Sequence, residues 1–134
     1  MKLSAYLAFK GNCEEVIAFY TDVLGGEVKE MMRYKEAPPE AFAVTEAMEN
    51  MIMHCTIEFN GQTLMVSDNM APHMTPGNNM SLAINTDEEA AYTMFHSLLE
   101  GGQQIMPFDD AFWGGKFGML IDKFGIQWMF TTGQ

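Results

Sequence analysis

The chain has 134 residues, a suitable length for one domain, and its 48% hydrophobic content can supply a core without reaching the about 18 consecutive apolar residues of a membrane helix. Seven basic against eighteen acidic side chains leave a net charge of −11, which argues against nucleic acid as a partner, because phosphate neutralisation needs Lys and Arg clusters. Two cysteines, Cys13 and Cys55, with no CxxC spacing exclude a disulfide framework and a zinc or thioredoxin-type motif. The opening MKLSAYLAFKGN lacks the long apolar region and cleavage site of a signal peptide, so a cytoplasmic protein is expected.

A short apolar strand comes first, around Leu7. Asn12 with Glu15 three residues on has capping-box spacing, and predicts a helix start with an acidic first turn. Val16, Ile17, Tyr20 and Leu24 form the apolar stripe of that helix, and Gly25-Gly26 ends it. Cys13 lies in the first turn, where the helix dipole would activate a thiol but Glu14 and Glu15 oppose it; it reads as unreactive, and Cys55 as a small core residue. Arg33 is either an anion-holding group or one partner of a surface ion pair. In the loop at 36–50, Pro38-Pro39 forbid a regular helix or central strand. TIEFNGQTLMVSD around Gly61 reads as a hairpin. On its first strand His54, Thr56 and Glu58 share one face and Cys55, Ile57 and Phe59 the other; the apolar face is expected to pack under a helix.

A linker rich in Pro, Asn and Gly follows at about 70–79, and the pattern then repeats. Leu82-Ala83 answers Leu7-Ala8 at a spacing of 75. Thr86 with Glu89 repeats the cap; Ala91, Phe95, Leu98 and Leu99 repeat the stripe; Gly101-Gly102 repeats the stop. The second hairpin, MLIDKFGIQWMF around Gly125, lies only 64 positions after the first, so the first half carries about 11 extra loop residues, at 36–50. Phe112, Trp113 and Phe117 surround Gly114-Gly115 as either a flap over a ligand or a plug of core aromatics. His73 and His96 read as solvent-facing or structural.

FYTDVLGG at 19–26, the MMRYKEAPP loop, MHCTIEFNGQTLMVSD and FWGGKFGMLIDKFG at 112–125 together resemble the PhnB-like group of the vicinal oxygen chelate superfamily, which includes glyoxalase I, bleomycin-resistance proteins and extradiol dioxygenases. The resemblance spans most of the chain. It implies an α+β fold: one domain over 1–134 of two βαβββ modules, about 1–70 and about 80–134, forming a cupped mixed sheet with helices on the convex side. It also implies a homodimer. Members of the group often carry a demethylubiquinone methyltransferase-like label, but no Gly-rich nucleotide loop follows the first strand.

Superfamily enzymes hold a divalent metal with four side chains, and the resemblance carries those positions to Ala5, Thr56, Ser81 and Met129. These are poor ligands for hard or borderline metals, so no metal or other cofactor is expected. The expected function is small-molecule binding in a metal-free cup lined by Leu7, His54, Thr56, Met65, Ser67, Ser81, Trp113, Met119 and Met129. The alternative is a lyase, isomerase or dioxygenase-type enzyme with His54 as acid/base or metal ligand. A weaker alternative is a drug-sequestering resistance protein whose acidity draws a cationic compound.

Overall fold

A computed structural model describes residues 1–38, 40 and 43–133. Pro39, half of the Pro pair invoked above, lies outside them. The chain forms two compact units, Met1–Thr75 and Pro76–Gln134.

The first unit runs β1 (Ala5–Phe9), α1 (Cys13–Leu24), β2 (Glu27–Arg33), β3 (Ile52–Phe59) and β4 (Gln62–Asp68). Its sheet order is β1-β4-β3-β2, with β1 parallel to β4 and the other pairs antiparallel. The second unit runs β5 (Leu82–Asn85), α2 (Glu88–Leu99), β6 (Gln103–Asp110), β7 (Lys116–Ile121) and β8 (Gln127–Thr131). Its order, β5-β8-β7-β6, repeats the first with the same pairing senses. The architecture is therefore α+β with two βαβββ modules. Among the described residues between β2 and β3 the chain makes two short 3-10 turns, Tyr34–Glu36 and Glu46–Met48. Among the described residues no helix is long and apolar enough to cross a membrane.

The α1 stripe packs as its spacing predicts: Val16, Ile17, Tyr20 and Leu24 are all buried, with Cys13. They lie against β3 and β4, where Cys55, Ile57, Leu64 and Val66 form the matching apolar surface. In the second unit Ala91, Phe95 and Leu98 of α2 are buried, and Phe95 meets the rings of Phe108 and Phe130. Each fully buried large apolar side chain contributes about 1.5–3 kcal/mol.

The helix starts differ from the capping-box expectation. Asn12 is the N-cap residue of α1 but makes no side-chain cap bond. Asp68, at the far end of β4, supplies the acceptor instead: its Oδ1 accepts the N–H of Gly11 at 2.9 Å and of Cys13 at 3.0 Å. The N-cap of α2 is Asp87, not Thr86, and it accepts the N–H of Ala90 at 2.9 Å. A carboxylate both bonds the free amide and opposes the dipole, which a threonine hydroxyl cannot do.

The repeat extends to single hydrogen bonds. Asp68 Oδ2 accepts the N–H of Ile52 at 2.9 Å. Each partner moved on by 64 gives Lys116 and Thr132, and Thr132 Oγ1 accepts the N–H of Lys116 at 2.8 Å. The Gly-Gly stops also divide their labour alike. Gly25 and Gly101 take positive φ, 64° and 76°, while Gly26 and Gly102 lie so close to a neighbouring strand that a Cβ would fall 2.7 Å from the Glu58 carbonyl oxygen and collide with that of Ile121.

Both cysteines are buried free thiols. Burial pushes the Cys55 thiol up to about 11. Cys13 is pushed up further, by burial first and then by the charges of Asp68 and Cys55. Both thiols therefore stay protonated in the fold and ionise more readily when the chain unfolds. Their contribution is full below the ordinary thiol value and is lost as pH rises through the folded values. Urea-unfolding midpoints are expected to fall as pH is raised from about 9 towards about 11. Cys55→Ala should flatten that slope, and both thiols should resist thiol reagents at neutral pH until the chain unfolds.

Candidate functional site

In each unit the helix covers one face of the sheet, and strand alternation decides which side chains lie on the other. In the first unit the register aligns Tyr6, Met65, Thr56 and Glu30 across all four strands. Ala8 pairs with Ser67 and Met32 with His54 on the same side. This face is turned away from α1. Here Tyr6 Oη lies 3.3 Å from His54 Nδ1, with ring centroids 5.7 Å apart. His54 Nε2 lies 3.1 Å from Thr56 Oγ1. Both imidazole nitrogens are thus engaged, and the three side chains form one hydrogen-bonded line along the sheet. Such a line can orient the ring in one tautomer and relay a proton between two hydroxyls.

The expected first-half lining residues His54, Thr56, Met65 and Ser67 lie together on this face, Ser67 buried and the others half-buried. Leu7 does not join them: it pairs with Val66, whose side chain is in the core under α1. Ala5, the expected first-strand ligand position, pairs with Leu64 and faces the same core. The β1 side chain that reaches the polar face is Tyr6, 51% exposed, which is not among the expected lining residues. Its signal was the alternation itself: once Phe9 is taken as core, Tyr6 and Ala8 must point the other way.

In the second unit the corresponding row is Ala83, Met129, Met119 and Met106. A second row is Asn85, Thr131, Phe117 and Asp109, in which Asn85 Nδ2 donates to Thr131 Oγ1 at 2.9 Å. Ser81 is exposed and stands two residues before Ala83, in phase with this face. Trp113, in the β6–β7 turn, sets its ring edge-on to Phe117 at 5.4 Å. Trp113 is 50% and Phe112 96% exposed, so these aromatics are not a core plug. On the helix side Asp122 accepts the N–H of Phe124 at 2.8 Å and of Ile126 at 3.0 Å, and the indole N–H of Trp128 at 2.9 Å. That carboxylate fixes the second hairpin and leaves Trp128 buried.

Arg33 forms the ion pair anticipated for it. Its guanidinium donates to both Glu14 oxygens, at 2.9 and 3.1 Å, and to the Asn50 carbonyl at 2.6 Å. These bonds hold the Glu14 carboxyl below the usual carboxylate range. His73 is exposed in the linker; His96 is exposed on α2 and packs its ring against Tyr92, 4.3 Å between centroids.

The residues do not fit a divalent metal. Ala5 faces the core, Met129 offers a soft thioether, Thr56 and Ser81 offer neutral hydroxyls, and His54 is already bonded on both nitrogens. Among the described residues no group of three or more His, Cys, Asp or Glu side chains is placed to share an ion.

Residues 1–131 match the family described as 3-demethylubiquinone-9 3-methyltransferase. Protein YjdN of Escherichia coli is 31% identical over 140 residues, covering 98% of this chain and 95% of its own length. The solved PhnB protein from Bacillus cereus is 33% identical with a TM-score of 0.80, covering 99% of this chain and 100% of that one. The genomically encoded fosfomycin resistance protein FosX of Listeria monocytogenes gives a TM-score of 0.68 over 100% of this chain and 93% of its own, at 10% identity, a likeness of fold alone.

Proposed function

The chain belongs to the family described as 3-demethylubiquinone-9 3-methyltransferase, a PhnB-like branch of the glyoxalase/bleomycin resistance superfamily, and on that premise we propose that it binds a small organic molecule without a resident metal. The observation that carries the reading is the composition of the sheet faces turned away from the helices. They combine methionine, tyrosine and small hydroxyls, an adaptable apolar lining with a few polar anchors, and their donors do not make a metal set.

Methyl transfer does not follow from the family's description. A nucleotide cradle needs free backbone N–H groups at a Gly-rich turn and helix start. Here the N–H groups of Gly11 and Cys13 donate to Asp68, and that of Ala90 to Asp87.

A small-molecule screen by thermal shift, run with and without chelator, tests the proposal. Ligands are expected to raise the melting temperature equally in both conditions, and Met129→Gln to weaken them about tenfold by replacing thioether contact with a polar amide. Ligands that need a divalent ion, or that bind Met129→Gln and Thr56→Val as they bind the parent, would sink it.

The Tyr6–His54–Thr56 line supports a second reading, an enzyme using His54 as acid/base. On that reading His54→Gln lowers turnover by about 100-fold or more while ligand binding persists. Turnover that survives the substitution removes it. A homodimer in the cytoplasm remains part of the proposal, and sedimentation analysis of the purified chain checks the dimer.

A further inference from the structure

At the end of the second sheet three aromatic rings meet at steep angles. Phe112 stands edge-on to Trp113, 4.8 Å between centroids at 85°, and Trp113 stands edge-on to Phe117 at 69°. The hairpin that carries them presents Phe112 at 96% exposure and Trp113 at 50%. Large aromatics held in water at a turn need a reason, since their burial elsewhere would be favourable.

The charge beside them is negative and is not neutralised in the way its neighbour is. Asp109 pairs in register with Phe117, so its carboxylate belongs to the aromatic side of the hairpin. One residue on, Asp110 pairs with Lys116 and meets its ammonium at 3.1 Å, and Lys116 also reaches Glu88 of α2 at 3.6 Å. The Lys116 ammonium is therefore held on the helix side by Asp110 and Glu88, and its charge acts on Asp109 more weakly than on either of them. Asp109 Oδ1 accepts the N–H of Asp110 at 2.8 Å, which fixes the carboxylate on the backbone.

We propose that Phe112, Trp113, Phe117 and Asp109 form a subsite for an organic cation of the quaternary or methylated ammonium class. Ring faces attract cations through their quadrupole, most strongly at Trp, and rings set at steep angles offer a corner rather than a flat stack. A quaternary ammonium is weakly hydrated and needs no hydrogen-bond acceptors, so aromatic faces with one carboxylate nearby suit it better than they suit a primary amine. The net charge of −11 raises the local concentration of any cation. The subsite rests on the binding reading above and names the ligand class for it.

Choline titrated into the full chain, against its neutral isostere 3,3-dimethylbutan-1-ol, tests the subsite. Trp128 is buried, so a change in tryptophan emission reports Trp113. Choline is expected to change the emission saturably, with a dissociation constant on the order of millimolar, while the isostere does not. Trp113→Ala should weaken choline about tenfold by ligand-methyl NMR, with the Trp128 emission of a folded chain retained. Asp109→Asn keeps the Oδ1 bond to Asp110 and should weaken choline about threefold. Equal binding of the isostere, or Trp113→Ala and Asp109→Asn variants that bind choline like the parent, overturns the subsite. So does a patch that ignores choline and changes only the oligomeric state when Trp113 is removed. If other small molecules still bind without metal, the subsite alone fails and the broader reading stands.

Discussion

Asp68→Ala is expected to lower the unfolding free energy by about 3–5 kcal/mol, measured by urea denaturation near neutral pH. The side chain is 1% exposed and joins three places remote in sequence. Its two oxygens accept from Gly11 and Cys13 at the start of α1 and from Ile52 at the start of β3. Alanine would leave three backbone donors without that acceptor, two of them in the core. Asp68→Asn separates the charge from the geometry. An amide can still accept with its oxygen, but its nitrogen would face the Ile52 N–H as a second donor, so a loss of about 2 kcal/mol is expected. If both variants unfold like the parent, Asp68 does not hold these three segments together.

Gly102→Ala is expected to cost about 2–4 kcal/mol. A Cβ at that position would collide with the Ile121 carbonyl oxygen, with Asp122 backbone atoms at about 3 Å. The atoms in the way are all backbone, so no side chain can swing aside. Gly26→Ala meets the Glu58 carbonyl oxygen at 2.7 Å and should cost less, in the same direction. The order of the two melting temperatures checks the account, and Gly102→Ala melting above Gly26→Ala would contradict it.

These two residues show where the sequence was legible. The strand and helix order followed from apolar periodicity and paired glycines, because those signals act within a dozen residues. The repeat of 64 reappears in the Ile52–Asp68 and Lys116–Thr132 bonds. At α1 the N-cap position, Asn12, was legible but its acceptor was not, because Asp68 bonds the helix start from 55 residues away and no local spacing encodes that. At α2 the local rule was sound but placed one residue early, on Thr86 rather than Asp87.

The site was legible in part for the same reason. Alternation on β3 correctly put His54 and Thr56 on one face and Cys55 and Ile57 on the other. Only the cross-strand register reveals that Tyr6 meets His54 and that Leu7 and Ala5, both half-buried, lie on the helix-side face. A one-residue slip in reading β1 exchanges its two faces. The organic-cation corner was visible as a cluster of aromatics, but its carboxylate was not, since Asp109 and Asp110 differ only in which face each occupies.

Binding of a small molecule without a resident metal separates this reading from metal-dependent chemistry. Elemental analysis of protein purified without chelator, paired with ligand titration before and after chelator treatment, tests it most directly. Metal well below one ion per chain and an unchanged dissociation constant for the bound small molecule are expected. One divalent ion per chain, lost together with ligand binding in His54→Ala, would contradict it.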